Sequence, residues 1–197
     1  MLYNNLNFEA VKFASSSDLR PELSGVFFKA DKVVATDRFR LVEITTDKTA
    51  DIKEMGKEFM QGFKPFIIGA KQVKEMAKIV PNYKRLPQFN YAGISFADDK
   101  FVEFISHNLE TNLTEKRRAS KINGTFPDYE KLFETGNAIA EIEINGNYMA
   151  GILETLAKFN FDYKVKIKFY GENKPLIFEA GNASQKARAA LMPFKNI

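Results

Sequence analysis

Lys71, Lys74 and Lys78 stand at i, i+3 and i+7. On a helix that spacing puts three ammonium groups on one face. Val73, Met76, Ala77 and Val80 form an apolar stripe on the opposite face. Such a helix packs on a sheet with one side and offers phosphates weak, sequence-independent contacts with the other. An ordinary solvated helix face carries the same pattern, so spacing alone leaves both readings open. Arg20, Lys12 and Lys158 are weaker cationic candidates elsewhere in the chain. The run Lys116-Arg117-Arg118 could touch a polyanion, but a solvated strand edge is the simpler expectation.

Covalent chemistry finds little to work with. The chain has no Cys and one His, His107. That excludes a disulfide scaffold, Cys-ligated zinc and a thiol nucleophile, and leaves His107 without a second His for a metal or base constellation. No G-x-x-x-x-G-K-[ST] phosphate loop and no G-x-S-x-G elbow occurs. Asp98-Asp99 reads as the polar tip of a hairpin and not as an acid pair. No catalytic residue, metal or cofactor is expected, and a nuclease or other nucleic-acid enzyme is the weakest functional class.

The 197 residues, 45% of them hydrophobic and 27% charged, are ample for one large folded unit plus a smaller one. The net charge of +4 is compatible with a polyanionic partner without demanding one. The opening MLYNNLNFEAVKF lacks a basic start, an apolar stretch and a cleavage site, so no secretory signal is expected. No run approaches the ~18 apolar residues of a membrane span. A cytoplasmic chain is expected, with no membrane partner, and the sequon at Asn112 is expected to be idle.

The elements that must position these residues fall into three units of one layout, a helical pattern followed by strands. The first has a helix over Asn5–Ser15, with Leu6, Ala10, Phe13 and Ala14 inward, then strands at 25–29, 32–35 and 39–45. A polar connector, 46–64, follows, punctuated by Gly56, Gly62 and Pro65. The second unit has a short strand at 65–68, a helix over 70–80 ended by Pro81, and strands at 89–96, 101–107 and 112–121. After a linker at 123–137, the third has a strand at 140–144, a helix over Tyr148–Lys158 capped by Asn147, and strands at 165–170, 176–180 and 187–193. Strands in consecutive runs argue an α+β fold with mainly antiparallel sheets.

Three segments carry more than a fold class. RPELSGV from Arg20, followed by ATDRFRL from Ala35, resembles paired landmarks in the middle domain of the bacterial DNA polymerase III beta subunit, the sliding clamp. NGTFPDY from Asn123 looks like that family's junction between its middle and last domains, and LMPFK from Leu191 like its C-terminal tail. The resemblance implies the processivity fold, a ring whose domains each consist of two helix-plus-sheet halves, helices inward around DNA and sheets outward. It implies a complete domain over residues 1–133, with halves at about 1–48 and 64–122, and a C-terminal half-domain over 138–197. A full subunit of the family carries six such halves; three are visible here.

The resemblance also implies sites. Arg20, Lys71, Lys74 and Lys78 would face double-stranded DNA. Thr36, Arg40, Leu41, Pro127, Leu132, Tyr148, Met192 and Pro193 match positions that wall the family's pocket for short peptides of polymerases and repair proteins. FPDY could equally set the chain path between units, and all these apolar residues could equally be core. The pattern departs from the family's at Arg38-Phe39, where Gly-His is usual, at Lys131, where Arg is common, and at Phe194-Lys195, in place of Met-Arg. The function implied is a DNA-binding processivity factor or scaffold, homo-oligomeric and nucleoid-associated, with clamp-binding peptides and a clamp loader as candidate partners. The alternative is an interaction module outside any ring that binds or titrates polymerase partners.

Overall fold

The computed structural model describes residues 1–17, 19–46, 63–171 and 173–194. Most of the expected connector, with Gly56 and Gly62, lies outside them, as does Lys195. The chain divides into two compact units, Met1–Asp128 and Tyr129–Ile197.

The first unit runs through one layout twice. The first pass has β1 (Leu2–Tyr3), α1 (Asn5–Phe8), a 3-10 helix (Glu9–Phe13), β2 (Gly25–Phe28), β3 (Lys32–Thr36) and β4 (Leu41–Thr45). The second has β5 (Phe66–Gly69), α2 (Ala70–Ala77), β6 (Ala92–Phe96), β7 (Phe101–Asn108) and β8 (Leu113–Ile122). All eight strands join one antiparallel sheet in the order β1-β6-β7-β8-β5-β2-β3-β4. The leading strand of each pass crosses over: β1 pairs with β6 of the second pass, and β5 pairs with β2 of the first. The two passes are thereby stitched into one sheet with α1 and α2 in contact on it.

Alternation explains the sheet. Along β7, Val102, Phe104 and Ser106 are buried while their neighbours are not, the period-2 signature of a strand with one covered face. Phe28 sits at the centre of the core. It stacks on Phe66 at 5.2 Å and 9°, and meets Tyr3 and Phe104 edge-on at 5.2 and 5.6 Å, geometries that aromatic quadrupoles favour. Tyr3 is fully buried and its hydroxyl donates to Lys29 O at 2.8 Å; burial raises its pKa. On the other side of β2, Phe27 stacks on Phe126 at 4.8 Å, which ties the FPDY segment to the sheet. Gly25 is required where β2 starts, because a Cβ there would lie 2.4 Å from Ile68 O on β5.

The expected first helix is replaced by one α-turn and a 3-10 stretch. Leu6 is exposed and Asn7 buried, against expectation at that position, while Ala10 is fully buried and Phe13 packs against the core as expected. Asn7 closes a reciprocal cap with Asn4 and donates from Nδ2 to Thr45 O at 3.0 Å. A buried side-chain amide with two satisfied bonds, beside its own capped backbone N–H, outweighs the pull of one leucine.

The second unit has a 3-10 turn (Glu130–Phe133), then α3 (Gly146–Ala157), β9 (Lys166–Lys168), β10 (Leu176–Gly181) and β11 (Lys186–Leu191). The strands form an antiparallel sheet ordered β11-β10-β9. Leu156, Leu176, Phe178 and Leu191 make its buried core. The cap of α3 is Asn145, whose Oδ1 accepts from Asn147 N and Tyr148 N, and not Asn147 as expected. The expected strand at 140–144 makes no ladder. It keeps one sheet-like bond, Phe194 N donating to Glu143 O at 2.8 Å. A strand needs a neighbouring edge, and the leading strands β1 and β5 find theirs in the other pass of their unit.

No helix among the described residues is long and apolar enough to cross a membrane.

Candidate functional site

Helix α2 follows β5 without a loop, and Ala70 N donates to Ser24 O at 3.0 Å, so the end of RPELSG meets its first turn. Val73 and Met76 are buried against the sheet. Lys71, Lys74 and Lys78 are exposed together, as the spacing predicts. Between them stands Glu75, whose Oε1 accepts from Lys78 Nζ at 2.7 Å. That bond, followed by the charges of Lys78, Arg117 and Lys71, holds the Glu75 carboxyl below the usual range. The face thus carries three lysines, one of them ion-paired with Glu75.

Arg117 is the residue that the spacing argument misses. It lies opposite Phe104 in the β7–β8 ladder, and Phe104 is buried in the core beneath α2. Alternation therefore turns Arg117 to the helix-bearing face of the sheet and Arg118 to the other. Arg118 is used locally. Its Nη2 donates to Asp98 Oδ2 at 2.9 Å, and its guanidinium lies 4.1 Å from the Phe101 ring centre. Asp98 also accepts from Lys100 N and Phe101 N, so it is a hairpin tip, as expected. Arg20 is exposed and precedes the 3-10 turn Pro21–Leu23. Lys12 pairs with Glu9, and Lys158 lies 3.9 Å from Glu154. His107 sits exposed on β7 with Nδ1 3.1 Å from Thr114 Oγ1. Among the described residues, no cluster of His, Cys, Asp and Glu is arranged to hold a metal.

The ATDRFRL segment makes the β3–β4 turn. Thr36 Oγ1 donates to Arg40 O at 2.8 Å and accepts from Arg38 N at 3.2 Å. Asp37 Oδ1 accepts from Phe39 N and Arg40 N, and Oδ2 from Arg40 Nε at 2.9 Å. The Arg40 bond, helped by the two backbone donors and the Arg40 charge, keeps the Asp37 carboxyl below its ordinary value against desolvation. Arg40 also donates from Nη2 to Lys12 O at 3.0 Å and lies 4.9 Å from the Phe13 ring centre. Thr36 and Arg40 are therefore turn-builders whatever else they do. Arg38 takes φ 79°, where glycine is at ease and other residues are not. Phe39 at the tip is 96% exposed.

Of the eight positions matched to a peptide pocket, Thr36, Arg40, Leu41 and Pro127 lie in the first unit, and Leu132, Tyr148, Met192 and Pro193 in the second. Leu132, Tyr148 and Met192 are 64, 66 and 60% exposed, so these three are surface residues and not core. The Phe194–Glu143 bond brings the tail beside the segment that enters α3, whose first turn carries Tyr148. An open cleft of about 910 Å³ in this unit, walled by Lys164, Lys166, Glu179 and Arg188 among others, holds none of the eight.

No protein-family model and no curated protein matches the sequence. Solved structures do. The sliding clamp (DNA polymerase III subunit beta) of Pseudomonas aeruginosa, bound to griselimycin, superposes with a TM-score of 0.71 at 16% identity over 100% of this chain and 50% of that one. The beta sliding clamp of C. crescentus gives 0.64 at 15% identity, covering 98% and 50%. DNA polymerase III beta subunit from Thermotoga maritima gives 0.61 at 15%, covering 100% and 51%. This chain spans about half the length of each. Over that span, the protein has the fold of the bacterial DNA polymerase III beta sliding clamps.

Proposed function

We propose that this chain is a clamp-like processivity factor or scaffold. It assembles with further copies, contacts duplex DNA through α2, and tethers replication or repair proteins by a short peptide. It catalyses no reaction itself. The observation that carries the reading is a sliding-clamp fold in which α2 offers Lys71, Lys74 and Lys78 to solvent. Lysines on a helix face suit a sliding contact, because each phosphate contact is weak and independent of sequence. Arg117 extends the positive field from β8. Leu132, Tyr148 and Met192 expose apolar surface on the second unit, and Leu41 and the β3–β4 turn offer apolar and polar groups on the first, each of the kind that peptide binding uses.

The test is the mass of the purified assembly in solution, with and without primed circular DNA. A multimer retained on closed circles and released by linearisation is expected. A chain that stays monomeric and leaves the circle unbound would overturn the DNA-tethering role and leave the peptide-binding module as the reading. Affinity for short duplexes should fall with salt at a log–log slope of about −0.9 per phosphate neutralised.

A further inference from the structure

In the first unit, each pass of the layout is completed by the other. β5 bonds its own pass through β8, at Ile67↔Ile122, and lends its second edge to β2 of the other pass. The second unit holds one pass only, and its open edges repeat this geometry. The segment 140–144 bonds its own pass through Phe194 N and Glu143 O, as β5 does through β8. Among the described residues, the second unit contains no other pass to pair with it. β9, the first strand after the helix, is the edge of its sheet; its counterparts β2 and β6 both accept a leading strand there. Unpaired strand edges invite pairing.

The side chains agree. Ile167 lies opposite Phe178, so it is on the core face of the sheet, and Phe169 shares that face two residues on. Phe178 is 0% exposed, whereas Ile167 and Phe169 remain 46 and 45% exposed. Ile142 and Ile144 also turn to the core, which leaves Glu141 and Glu143 outward. The leading segment is thus acidic on its outer face, and β9 carries Lys166 and Lys168 on its own outer face, Lys168 already donating to Glu179 Oε1 on β10 at 2.8 Å so that a further carboxylate would share it.

We infer that a second copy of this chain completes the second unit: segment 140–144 of each copy pairs antiparallel with β9 of the other, about a two-fold axis. In β2–β5, the residue before α2 meets the first residue of the receiving strand, Gly69↔Gly25. The same register sets Ile144 opposite Ile167, Glu143 opposite Lys168 and Ile142 opposite Phe169. Apolar meets apolar on the core face and acid meets base outside. A slip by one residue would set glutamates against Ile167 or Phe169 and isoleucines against lysines, so the pattern selects the register. The interface is isologous and closes on itself. It gives one specific form to the self-association proposed above, but does not depend on DNA binding or peptide capture.

The chain has no Cys, which makes cross-linking clean. Full-length Glu143→Cys and Lys168→Cys variants, mixed under mild oxidation, are expected to form a disulfide-linked heterodimer. The control replaces Lys168→Cys with Ser184→Cys, in the exposed β10–β11 turn. A preference of about tenfold over the control is expected from a specific strand pair. Glu143→Lys should raise the dissociation constant of the homodimer by about tenfold, since two symmetric pairs turn repulsive. Linkage no faster than in the control, or a wild-type chain that is monomeric at tens of micromolar, would overturn the interface. Duplex DNA affinity, read on the same variants, reports on α2 separately.

Discussion

Lys78 donates to Glu75 Oε1 across 2.7 Å, three residues apart on the exposed face of α2. The pair spends one of three lysines on a carboxylate that would repel DNA. Glu75→Gln should therefore tighten short-duplex binding and steepen its salt dependence by about one phosphate's worth of slope. The triple change Lys71→Ala, Lys74→Ala, Lys78→Ala should flatten that slope. Fluorescence anisotropy across a salt series reads both, and an unmoved slope in the triple variant removes α2 from the DNA contact.

Asp37 gives the β3–β4 turn an acid limit. Its folded pKa is lowered, first by the Arg40 bond, so its contribution is fully present above the unfolded value of about 3.9 and is lost as pH falls through the folded one. Asp37→Asn should be less stable than wild type at pH 7. The gap should close in the acid range below about pH 4. Urea unfolding at neutral and acid pH measures it, and a gap unchanged in acid would mean that the carboxylate charge plays no part in the turn.

Arg38, at φ 79°, inverts the usual order of small residues. Glycine adopts that conformation freely and alanine does not, so Arg38→Gly should exceed Arg38→Ala in stability by about 1 kcal/mol. Denaturant midpoints of the two variants decide it; equal midpoints would mean the turn relaxes.

These cases show which features could be read from the chain. β7 and α2 were legible because burial on one face leaves a period of 2 or 3.6 in the residues, and the three lysines followed from that period. Leu6 misled because α1 is a single turn held by Asn4, Asn7 and Thr45, where specific hydrogen bonds override hydropathy. Residues 140–144 alternate as a strand should, but pairing depends on an edge that local pattern cannot supply. Arg117 was hidden within a three-residue charge run. Its direction follows only from the register that sets it opposite Phe104.

Gly25 and Gly69 face each other across β2 and β5, yet they are not equivalent. A Cβ on Gly25 would meet Ile68 O at 2.4 Å and Ile67 Cγ2 at 2.9 Å, whereas one on Gly69 has Ile122 Cδ1 at 3.7 Å. Backbone cannot yield as a side-chain tip can. Gly25→Ala should cost about 1–3 kcal/mol and Gly69→Ala well under that. Thermal or urea unfolding of both variants tests the contrast; similar losses would mean that the strands separate at little cost.

The peptide site is tested by Met192→Ala and Leu41→Ala, one from each unit. Met192 is 60% exposed and ends in a thioether suited to varied apolar partners. Its truncation therefore removes surface and not core, and stability should hold within about 0.5 kcal/mol. Leu41 opens β4 opposite Thr36 and is half-buried, so a moderate loss of stability is expected there. If these residues wall one pocket, each variant should weaken a polymerase-tail peptide with Leu and Phe anchors by about tenfold, the effect of losing ~1.4 kcal/mol of apolar contact. Isothermal titration with the folded variants measures this. Phe39→Ser at the exposed turn tip should reduce affinity without loss of stability if the bulky pair Arg38-Phe39 shapes the entrance. Wild-type affinity in both Met192→Ala and Leu41→Ala would sink the pocket, and the exposed apolar residues of the second unit would then need another partner.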